Sequence, residues 1–519
     1  MPLGAAAASA NSPAGHGPPA AAGGSHDVTR FGAVGDGKTL GTKALQKAID
    51  TCAAAGGGTV LIPPGRYLSG ALFLRNHVHL HFSSGATLVA SHRPGDFPAI
   101  KAREEGIERK IYASVLTGMD LEDVAITGQG VVDGQGQPWW EAFEKTLQMR
   151  IAGKLPREAE NPAGAPLEWP RPRLINLIRC RGVLVEGLTL QDSPFYAAHF
   201  VYCENVVVSR VITSQKIAAH NTGITIDSSK HVKVVDCTLS HGGDGIGIKS
   251  GYNEDGRRVG IPSQDILITG CQMFHTGDSG VAIGSETAGG IRNVVISDCV
   301  IEDCTNGIYI RSPRGRGGVV EQIRVCNVVM DRIAETALKI SHFFDSVRMN
   351  QVKGGSVRRD MEIARSRKAP VDEGTPTFRN FAFSGITIGR VREAAVVEGL
   401  PERYICGLSF QDVTVAHADG GISLALAAEV SISGLTVGAL ESAAVDAREV
   451  EQLEIHRLRW ARPAAGSPAV WLENVAGAFL HACHVGQAAP GYEWLRQEHA
   501  REVTLAANVV PTPLPTRPG

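Results

Sequence analysis

The chain has 519 residues, a formal net charge of −2, 60 glycines and only 6% aromatic residues. A near-neutral charge supplies no basic field for general nucleic-acid binding, and no apolar run reaches the roughly 18 residues that span a bilayer. The length fits two or three ordinary domains or one repeat architecture, and the abundant glycine favours many tight turns over a helical protein.

The first 26 residues are rich in Ala, Gly and Pro, and Ala8-Ser9-Ala10 has the small-x-small form of a signal-peptide cleavage site. We interpret residues 1–26 as the remnant of a secretory signal, which predicts a secreted or periplasmic protein. An ordinary disordered leader of the same composition is the alternative.

A single amphipathic helix is predicted over 42–55, with Thr42 as the N-cap and Gly56-Gly57-Gly58 as the stop. Before a series of strands, such a helix would cover the open end of a solenoid. Short strands follow over 59–82 and 124–133. Trp139-Trp140 are expected in a turn before a long charged excursion over 141–170.

Five later runs share one template: a small residue, a branched apolar residue, a variable residue, Ile, a second variable residue and usually Ser. They cover 223–228, 245–250, 280–285, 307–312 and 337–341. Alternation with period two predicts strands, and starts that recur every 22 to 35 residues predict the rungs of a parallel solenoid. The fold class predicted is therefore all-β.

Stacked rungs would place the apolar positions in a continuous core and the variable positions on one exposed face. That face would carry two neighbouring columns, which are Thr225, Gly247, Ala282, Tyr309 and Lys339, and Asp227, Lys249, Gly284 and Arg311. We expect the chemistry there.

A second charged excursion over 350–380 precedes weaker rungs, and no domain boundary is evident. We predict one β-helix domain over 27–507 and a loose Pro-rich tail over 508–519. Six cysteines recur about once per rung, which favours free core thiols over disulfides, although Cys299 and Cys304 are close enough in sequence to pair.

Several motifs in order carry a family resemblance: Phe31-Gly32-Ala33, Gly56-Gly57-Gly58-Thr59-Val60, Asp133-Gly134-Gln135-Gly136, Asp227-Ser228, Ile248-Lys249-Ser250-Gly251, Ile283-Gly284-Ser285-Glu286 and Arg314-Gly315-Arg316-Gly317-Gly318. Together they resemble glycoside hydrolase family 28, the polygalacturonases and rhamnogalacturonases. The resemblance implies a right-handed parallel β-helix whose groove binds an acidic plant polysaccharide and hydrolyses it with inversion.

The catalytic motifs of that family are altered here. Its Asn-Thr-Asp matches His220-Asn221-Thr222, and its Gly-Asp-Asp matches Gly242-Gly243-Asp244. Its Gly-His-Gly matches Gly277-Asp278-Ser279, and its Arg-Ile-Lys matches Tyr309-Ile310-Arg311. The scaffold and groove are therefore expected to persist with an active site that differs from that of an ordinary polygalacturonase.

Asp244 and Asp278 enter neighbouring rungs, about 4.8 Å apart, so their carboxyls could serve as general acid and base. Alternatively, each caps its own turn. Asp227 could replace the carboxylate that is lost at Thr222. As substrate-binding residues we expect Tyr309, Arg311, Lys249, His220, His241, Thr222 and Lys339. A solvated ladder of compensating charges is the alternative for Asp227, Lys249 and Arg311.

Three functions remain open from the sequence. The first is a glycosidase acting on an acidic or deoxy-sugar glycan. The second is a uronate lyase or epimerase that uses Tyr309 or a His with Arg311 or Lys249, and the third is a non-catalytic glycan-binding protein. The expected partner is an oligo- or polysaccharide, with no cofactor, no metal, no nucleic acid and no membrane insertion. Nothing indicates the oligomeric state.

Overall fold

The computed structural model describes residues 24–152, 170–214, 221–344, 367–489 and 492–511. Within these ranges, 37 strands form one continuous sheet, in which each strand pairs in parallel with its counterpart one coil later. For example, Ile224 pairs with Ile246, and Ile246 with Val281. The chain is a right-handed parallel β-helix, as the repeats and the resemblance predict.

The strands before the regular coils have short spans. They are β1 Ser25–Asp27, β2 Asp36–Leu40, β3 Gly58–Ile62, β4 Gly65–Ser69, β5 Leu72–Phe73, β6 Val78–Phe82, β7 Ala86–Ala90, β8 Ala99–Glu104, β9 Ile107–Tyr112, β10 Leu116–Met119, β11 Glu122–Gly128 and β12 Val131–Asp133.

The central coils repeat three strands each, and later merge into longer ones. They are β13 Ile175–Ile178, β14 Arg181–Glu186, β15 Thr189–Gln191, β16 Ala198–Val201, β17 Glu204–Ser209, β18 Ile212–Ser214, β19 Ile224–Asp227, β20 Lys230–Val235, β21 Thr238–Ser240, β22 Ile246–Lys249, β23 Ser263–Thr269, β24 Gln272–Phe274, β25 Ser279–Gly284, β26 Ile291–Glu302, β27 Asn306–Arg311, β28 Val319–Asp331 and β29 Ile333–Ser341.

The last coils continue the same pairing. They are β30 Thr377–Glu398, β31 Ile405–Ser433, β32 Thr436–Leu440, β33 Val445–His456, β34 Arg459–Trp460, β35 Val470–Glu473, β36 Ala476–His481, β37 His484–Val485, β38 Leu495–Glu498 and β39 Arg501–Ala506. β1 already begins at Ser25, inside the predicted leader. The rest of that leader up to residue 23 lies outside the described residues, as does the tail from residue 512.

The apolar positions of the repeats form the core. Ile224, Ile226, Ile246, Ile248 and Ile283 are all fully buried and stack from coil to coil. Left-handed backbone bends the chain near the starts of strands, as at Asn205 in β17 (φ 57°), Asp265 in β23 (φ 57°) and Asn293 in β26 (φ 55°). Asn and Asp adopt this conformation at lower cost than most residues, which explains their recurrence there.

Helix α1, Thr42–Ala54, covers the first coil with Leu45, Ala48, Ile49 and Cys52 buried beneath it. The prediction of Thr42 as N-cap is wrong: the cap position is Gly41, and the Thr42 hydroxyl instead accepts a hydrogen bond from the Gly70 amide at 2.8 Å.

In the described ranges, two further helices and two short 3₁₀ turns lie outside the coils. They are α2 Gln137–Ile151, α3 Asn253–Val259, and the 3₁₀ turns Val28–Phe31 and Pro94–Asp96. Trp139 and Trp140 therefore lie in a helix rather than in the predicted turn. Parts of both charged excursions lie outside the described residues. They are 153–169 of the first and 350–366 of the second.

The prediction that the variable positions form an exposed face is wrong. Every residue of β19, β22, β25 and β27 is buried on both sides of the strand. The antiparallel hairpin β8–β9 covers part of this face, because Ala102 and Ile111 pack against Ile178 and Val201 of the main sheet.

All ten cysteines are free thiols. Cys180, Cys203, Cys237, Cys271 and Cys299 are buried, as core thiols should be, whereas Cys326 is half-buried. The Cys237 and Cys271 thiols donate weakly to backbone carbonyls of the preceding coil, Val208 at 3.8 Å and Val234 at 3.7 Å, and Cys299 does not pair with Cys304.

Candidate active site

Asp244, Asp278 and Arg311 converge on one point of the covered face. One terminal nitrogen of the Arg311 guanidinium, Nη2, lies 2.9 Å from Asp244 Oδ2, and the other, Nη1, lies 2.8 Å from Asp278 Oδ2. The two carboxylates are therefore separated by no more than two hydrogen bonds and the width of one guanidinium. The two aspartates therefore lie close together, with Arg311 between them, and their role as a catalytic pair stays a prediction.

Stacked turns hold both aspartates in place. Asp244 precedes β22 and Asp278 precedes β25, so successive coils bring them together. The Ser279 amide donates to Asp244 Oδ1 at 3.2 Å, and the Ser279 hydroxyl donates to Asp278 Oδ1 at 3.1 Å. Gly277 is required here, since a Cβ at this position would lie 2.1 Å from the Gly242 carbonyl oxygen. Asp244 thus bonds to the next coil and to Arg311, whereas Asp278 bonds to the adjoining Ser279 in its own turn and to Arg311.

The two carboxyls differ in their affinity for protons. Burial, reinforced by the negative charge of Asp278, raises the pKa of Asp244 to about 6 despite the opposing charge of Arg311. Burial also disfavours ionisation of Asp278, but the charge and hydrogen bond of Arg311 outweigh it and hold the pKa of Asp278 below its ordinary value. The Asp278 side chain is 25% exposed and that of Asp244 only 6%. Near pH 5 the pair can therefore hold one proton, on Asp244.

Aromatic rings surround the Arg311 guanidinium. Its carbon lies 5.0 Å from the Tyr309 ring centroid and 4.7 Å from that of Phe344. Lys339 places its Nζ 4.8 Å from the Tyr309 centroid. Tyr309 is only 1% exposed, so the prediction that it projects openly into a groove is wrong. Burial raises the pKa of the Tyr309 hydroxyl, although the charges of Lys339 and Arg311 oppose the shift.

Lys249 is buried in a polar cluster beside the aspartates. Its Nζ lies 3.0 Å from Glu286 Oε1 and 3.3 Å from the Tyr196 hydroxyl. The prediction of Lys249 as an available cation for a substrate carboxylate is therefore wrong, because Glu286 neutralises it. Burial raises the pKa of Tyr196 above its ordinary range.

Asp227 belongs to a different cluster. Its Oδ1 accepts a hydrogen bond from Arg103 Nη1 at 2.9 Å, and its Oδ2 lies 3.6 Å from His199 Nε2. Asp227 and Arg103 are 1% and 0% exposed. Asp227 of β19 pairs in register with Lys249 of β22. Strand β25 lies between β22 and β27, the strand that carries Arg311. The prediction that Asp227 supplies a carboxylate to the same catalytic centre is wrong.

Of the other predicted substrate-binding residues, two are buried and one is not described. His241 is fully buried with both ring nitrogens unpartnered in the described structure, and burial lowers its pKa to about 3. Thr222 is buried next to Gly243 and Gly247. Both predictions of a groove position are wrong. His220 lies outside the described residues.

Several residues of the site were not predicted. Glu286 stands in a motif that carries the family resemblance, so its position beside Lys249 could have been anticipated. Arg103, Tyr196 and Phe344 had no signal, because they come from a hairpin and loops outside the repeats. No group of three or more His, Cys, Asp or Glu in the described ranges is arranged to hold a metal ion.

A parallel β-helix with paired carboxylates on its sheet defines a class of carbohydrate-active proteins. Comparison with known proteins narrows this class. The family model for glycosyl hydrolases family 28 matches residues 97–358, about half of the chain. A model described as rhamnogalacturonase A/epimerase, pectate lyase-like, matches residues 25–85. The chain belongs to glycosyl hydrolase family 28 and is a glycosidase by class.

Curated relatives agree with this assignment. A probable polygalacturonase of Vitis vinifera is 29% identical over 401 residues, which cover 75% of this chain and 74% of the relative. An exo-poly-alpha-D-galacturonosidase of Dickeya chrysanthemi is 26% identical over 345 residues, which cover 61% of this chain and 56% of the relative.

Solved structures show the same fold. A hyperthermoactive exopolygalacturonase from Thermotoga maritima superposes with a TM-score of 0.65 at 28% identity, covering 76% of this chain and 87% of that one. A family 28 exopolygalacturonase from Yersinia enterocolitica superposes with a TM-score of 0.69 at 20% identity, covering 83% of this chain and 78% of that one.

Proposed function

We propose that the protein hydrolyses a glycosidic bond in a pectin-like glycan with inversion, using Asp244 as general acid and Asp278 as general base. The observation that carries the proposal is two carboxyls of unlike proton affinity held on one guanidinium, Arg311. Inverting glycosidases require this combination, since one carboxyl must be protonated and the other ionised at the same pH.

The two environments assign the two roles. Asp244 is buried and its pKa of about 6 keeps a proton available for the leaving oxygen. Asp278 is partly exposed and its pKa is lowered, so it stays ionised where water can reach it. Inversion is the course that the family resemblance implies, and it requires a water to reach Asp278 on its exposed side.

The lyase or epimerase alternative has less support. It needs a free cation to neutralise the uronate carboxylate, yet Arg311 and Lys249 are both paired with carboxylates. It also needs an accessible Tyr or His, whereas Tyr309 is buried with a raised pKa and His241 lies in the core. A non-catalytic glycan-binding role would not require carboxyls with separated pKa values.

We also propose that the enzyme acts on chain ends. The hairpin β8–β9 closes the face beside Asp227, where Arg173 Nη2 binds Glu104 Oε2 at 2.8 Å and the Tyr252 amide binds the Gly106 carbonyl at 3.0 Å. A polysaccharide could then enter from one side only. The relatives from Dickeya chrysanthemi and Thermotoga maritima, both named as exo-acting enzymes, are consistent with this proposal.

We propose a secreted or periplasmic location, which a polymeric pectin-like substrate supports. Among the described residues, no helix is long and apolar enough to cross a membrane. Fractionating the cells that express the full-length gene tests the location.

Product analysis on a panel of pectic polysaccharides tests the function. We expect new reducing ends whose anomeric configuration, followed by NMR, is inverted, with no ultraviolet-absorbing unsaturated product. An unsaturated product would establish the lyase, and binding without any product would establish the glycan-binding role.

A further inference from the structure

A second surface with an open cavity lies on the last coils of the β-helix. Segments of β31, β33, β36 and β39 form this cavity, which has a volume of about 710 Å³ and is called the C-terminal cavity below. The longer polar and aromatic side chains that line it are Glu429, Gln452, Glu454, Phe479, Glu502 and Thr504. None of them belongs to the candidate active site.

The C-terminal cavity is separate from the two aspartates. Asp278 precedes β25, and β26 is the next strand of the same coil. Strand β26 pairs with β28, β28 with β30 and β30 with β31, which gives three steps of about 4.8 Å each along the helix axis. The sheet of the candidate active site continues through 422–425, whereas the cavity lies past the left-handed corner at Glu429 (φ 55°). A ligand in this cavity is therefore bound outside the candidate active site.

An exposed aromatic ring forms one wall of the cavity. Phe479 is 38% exposed, because it points outward from β36 while its neighbours Ala478 and Leu480 are buried in the core. The His481 ring stacks on Phe479 with centroids 4.2 Å apart and planes 10° apart, and His456 stacks on His481 at 4.4 Å. Exposed apolar side chains of this size, arranged with polar neighbours, are typical of binding surfaces.

Hydrogen bonds hold this stack of rings in place. His481 Nε2 lies 2.9 Å from Glu454 Oε1, and His456 Nδ1 lies 3.2 Å from the Ser433 hydroxyl. Glu454 pairs in register with Phe479 on the next coil, and Phe479 pairs with Thr504 on the coil after that. Because the ring is already positioned by its neighbours, a ligand that stacks on it would lose little free energy in ordering the site.

A glycine leaves room beside the ring. Gly477 has φ 74°, and a Cβ at this position would meet no atom closer than 3.9 Å. On the two flanking coils the same corner carries Gln452 (φ 57°) and Glu502 (φ 56°), whose side chains line the cavity. Phe479 and these hydrogen-bonding groups therefore border one open space.

This combination of groups suits an uncharged sugar. The face of a pyranose that carries C–H groups packs against an aromatic ring, whose own face is partly negative. Glu429, Glu454 and Glu502 provide carboxylates that accept charge-assisted hydrogen bonds from hydroxyl groups. The same three charges repel the carboxylate of a uronic acid. A basic peptide is the other ligand that rings and carboxylates attract, but membership of a glycosidase family favours a glycan.

We infer that the C-terminal cavity is a non-catalytic binding site for an uncharged stretch of polysaccharide, with Phe479 as its stacking platform. This inference goes beyond the proposed hydrolysis and does not depend on it. The cavity extends over the coils of β31, β33, β36 and β39, so it accommodates a short run of sugars rather than one. Occupation of the site would hold the protein on a polymeric glycan.

Calorimetry with short oligosaccharides of galactan, xylan and mannan, all uncharged, tests the inference. The Asp244→Asn protein is used throughout, so that hydrolysis does not consume the ligand. We expect at least one series to bind, and Phe479→Leu, which keeps an apolar side chain but removes the ring, to weaken that binding about tenfold. Phe479→Tyr keeps the ring and should keep the affinity. Binding of none of the three series, or unchanged affinity in Phe479→Leu, would overturn the inference.

Two controls accompany these variants. Val329→Ala changes an apolar side chain of β28 that is 44% exposed and does not line the cavity, so it should leave the affinity unchanged. Melting temperatures should be the same for all variants, because Phe479 and Val329 are both exposed. An equal loss of affinity in Val329→Ala and Phe479→Leu would show a general effect and overturn the inference.

Charged ligands test the assignment to an uncharged sugar. Phe479→Leu should not alter the affinity for oligogalacturonate, because the three glutamates exclude a uronate from the cavity. A tenfold loss for oligogalacturonate as well would contradict this assignment. Tighter binding of a lysine-rich peptide than of all three neutral series, weakened by Phe479→Leu, would identify a peptide site and overturn the inference.

Binding without turnover separates this inference from the proposed function. If no glycan is hydrolysed, the proposed function fails, while binding that depends on Phe479 still supports the site inferred here. Hydrolysis of a pectic glycan without any binding that depends on Phe479 would overturn the inference and leave the proposed function in place.

Discussion

Arg311 determines the properties of the site at the scale of single residues. Its guanidinium compensates two carboxylates that would otherwise repel each other in a poorly solvated place. Because Arg311 and Asp244 are both nearly buried, the pairing matters for stability as well as for catalysis. A surface arginine with several carboxylate partners, such as Arg332, offers a comparison.

Replacing Arg311 with Met should destabilise the fold and move the pH profile. Removing the charge leaves two buried carboxylates unpaired, so we expect the free energy of unfolding to fall by about 3 kcal/mol. The pKa values of both aspartates rise, which moves both limbs of the activity profile to higher pH. Urea unfolding and rate measurements check this. Arg332→Met should change stability by less than about 1 kcal/mol, since Arg332 is half exposed.

The pH dependence of the wild-type enzyme should be bell-shaped and acidic. Asp244 must carry a proton, and its pKa is about 6, so kcat/KM should fall as the pH rises through about 6. Asp278 must be ionised, and its pKa is lowered from 3.8, so activity should fall only below that value. The two carboxyls titrate as a pair, and the profile reports the pair. A flat profile between pH 4 and 8 would contradict the acid and base assignments.

At the scale of elements, the hairpin β8–β9 turns an exposed sheet face into a covered one. Arg103 reaches Asp227 across 124 residues of sequence, and Ala102 and Ile111 add a small apolar contact. The hairpin is also bound through Glu108 to Arg258 of α3. These contacts are the basis of the proposal that the substrate enters from one side.

Shortening the hairpin should change the products. We expect replacement of 101–110 by a short Gly-rich turn to permit cleavage within chains. Asp227→Asn and Arg173→Met accompany it, because the replacement removes their buried counter-ions Arg103 and Glu104. Viscosity of a polymeric substrate should then fall faster per bond cleaved, and longer products should appear. The control keeps the hairpin and removes the same four charges with Arg103→Met, Glu104→Gln, Arg173→Met and Asp227→Asn. Unchanged release of terminal sugars by the shortened protein would argue against closure by the hairpin.

The strands were predictable because their signal is local, whereas the covering elements were not. Alternation at Ile224 and Ile226 specifies which side of the strand faces the core, and stacking of similar runs places Asp244 beside Asp278. No repeat marks Arg103, and its pairing with Asp227 depends on tertiary packing of a segment that lacks the repeat. The charged residues of the strands are expected to be exposed, but each has a buried counter-ion. Only the counter-ion of Asp227, Arg103, comes from outside the repeats.

At the scale of the whole molecule, one ladder of parallel strands sets the distance between functional residues. Each coil adds about 4.8 Å, so residues far apart in sequence become neighbours only if their strands keep register. The cores of successive coils merge into one, and the cysteines fill it as small apolar residues.

The stability of the protein should not depend on disulfides. We expect all ten thiols to react with a thiol reagent after unfolding, and the melting temperature to be the same with and without reductant. Fewer than ten reactive thiols in freshly prepared protein, together with a lower melting temperature in reductant, would show that a disulfide contributes.

The most direct test measures hydrolysis by Asp244→Asn and Asp278→Asn beside the control Asp236→Asn. Asp236 is exposed and adopts φ 54°, which Asn tolerates, so the control should retain full activity. We predict that each site variant loses at least a hundredfold in kcat while its circular dichroism spectrum stays native. Near-normal hydrolysis by either site variant would contradict the assignment of the two aspartates as the catalytic pair.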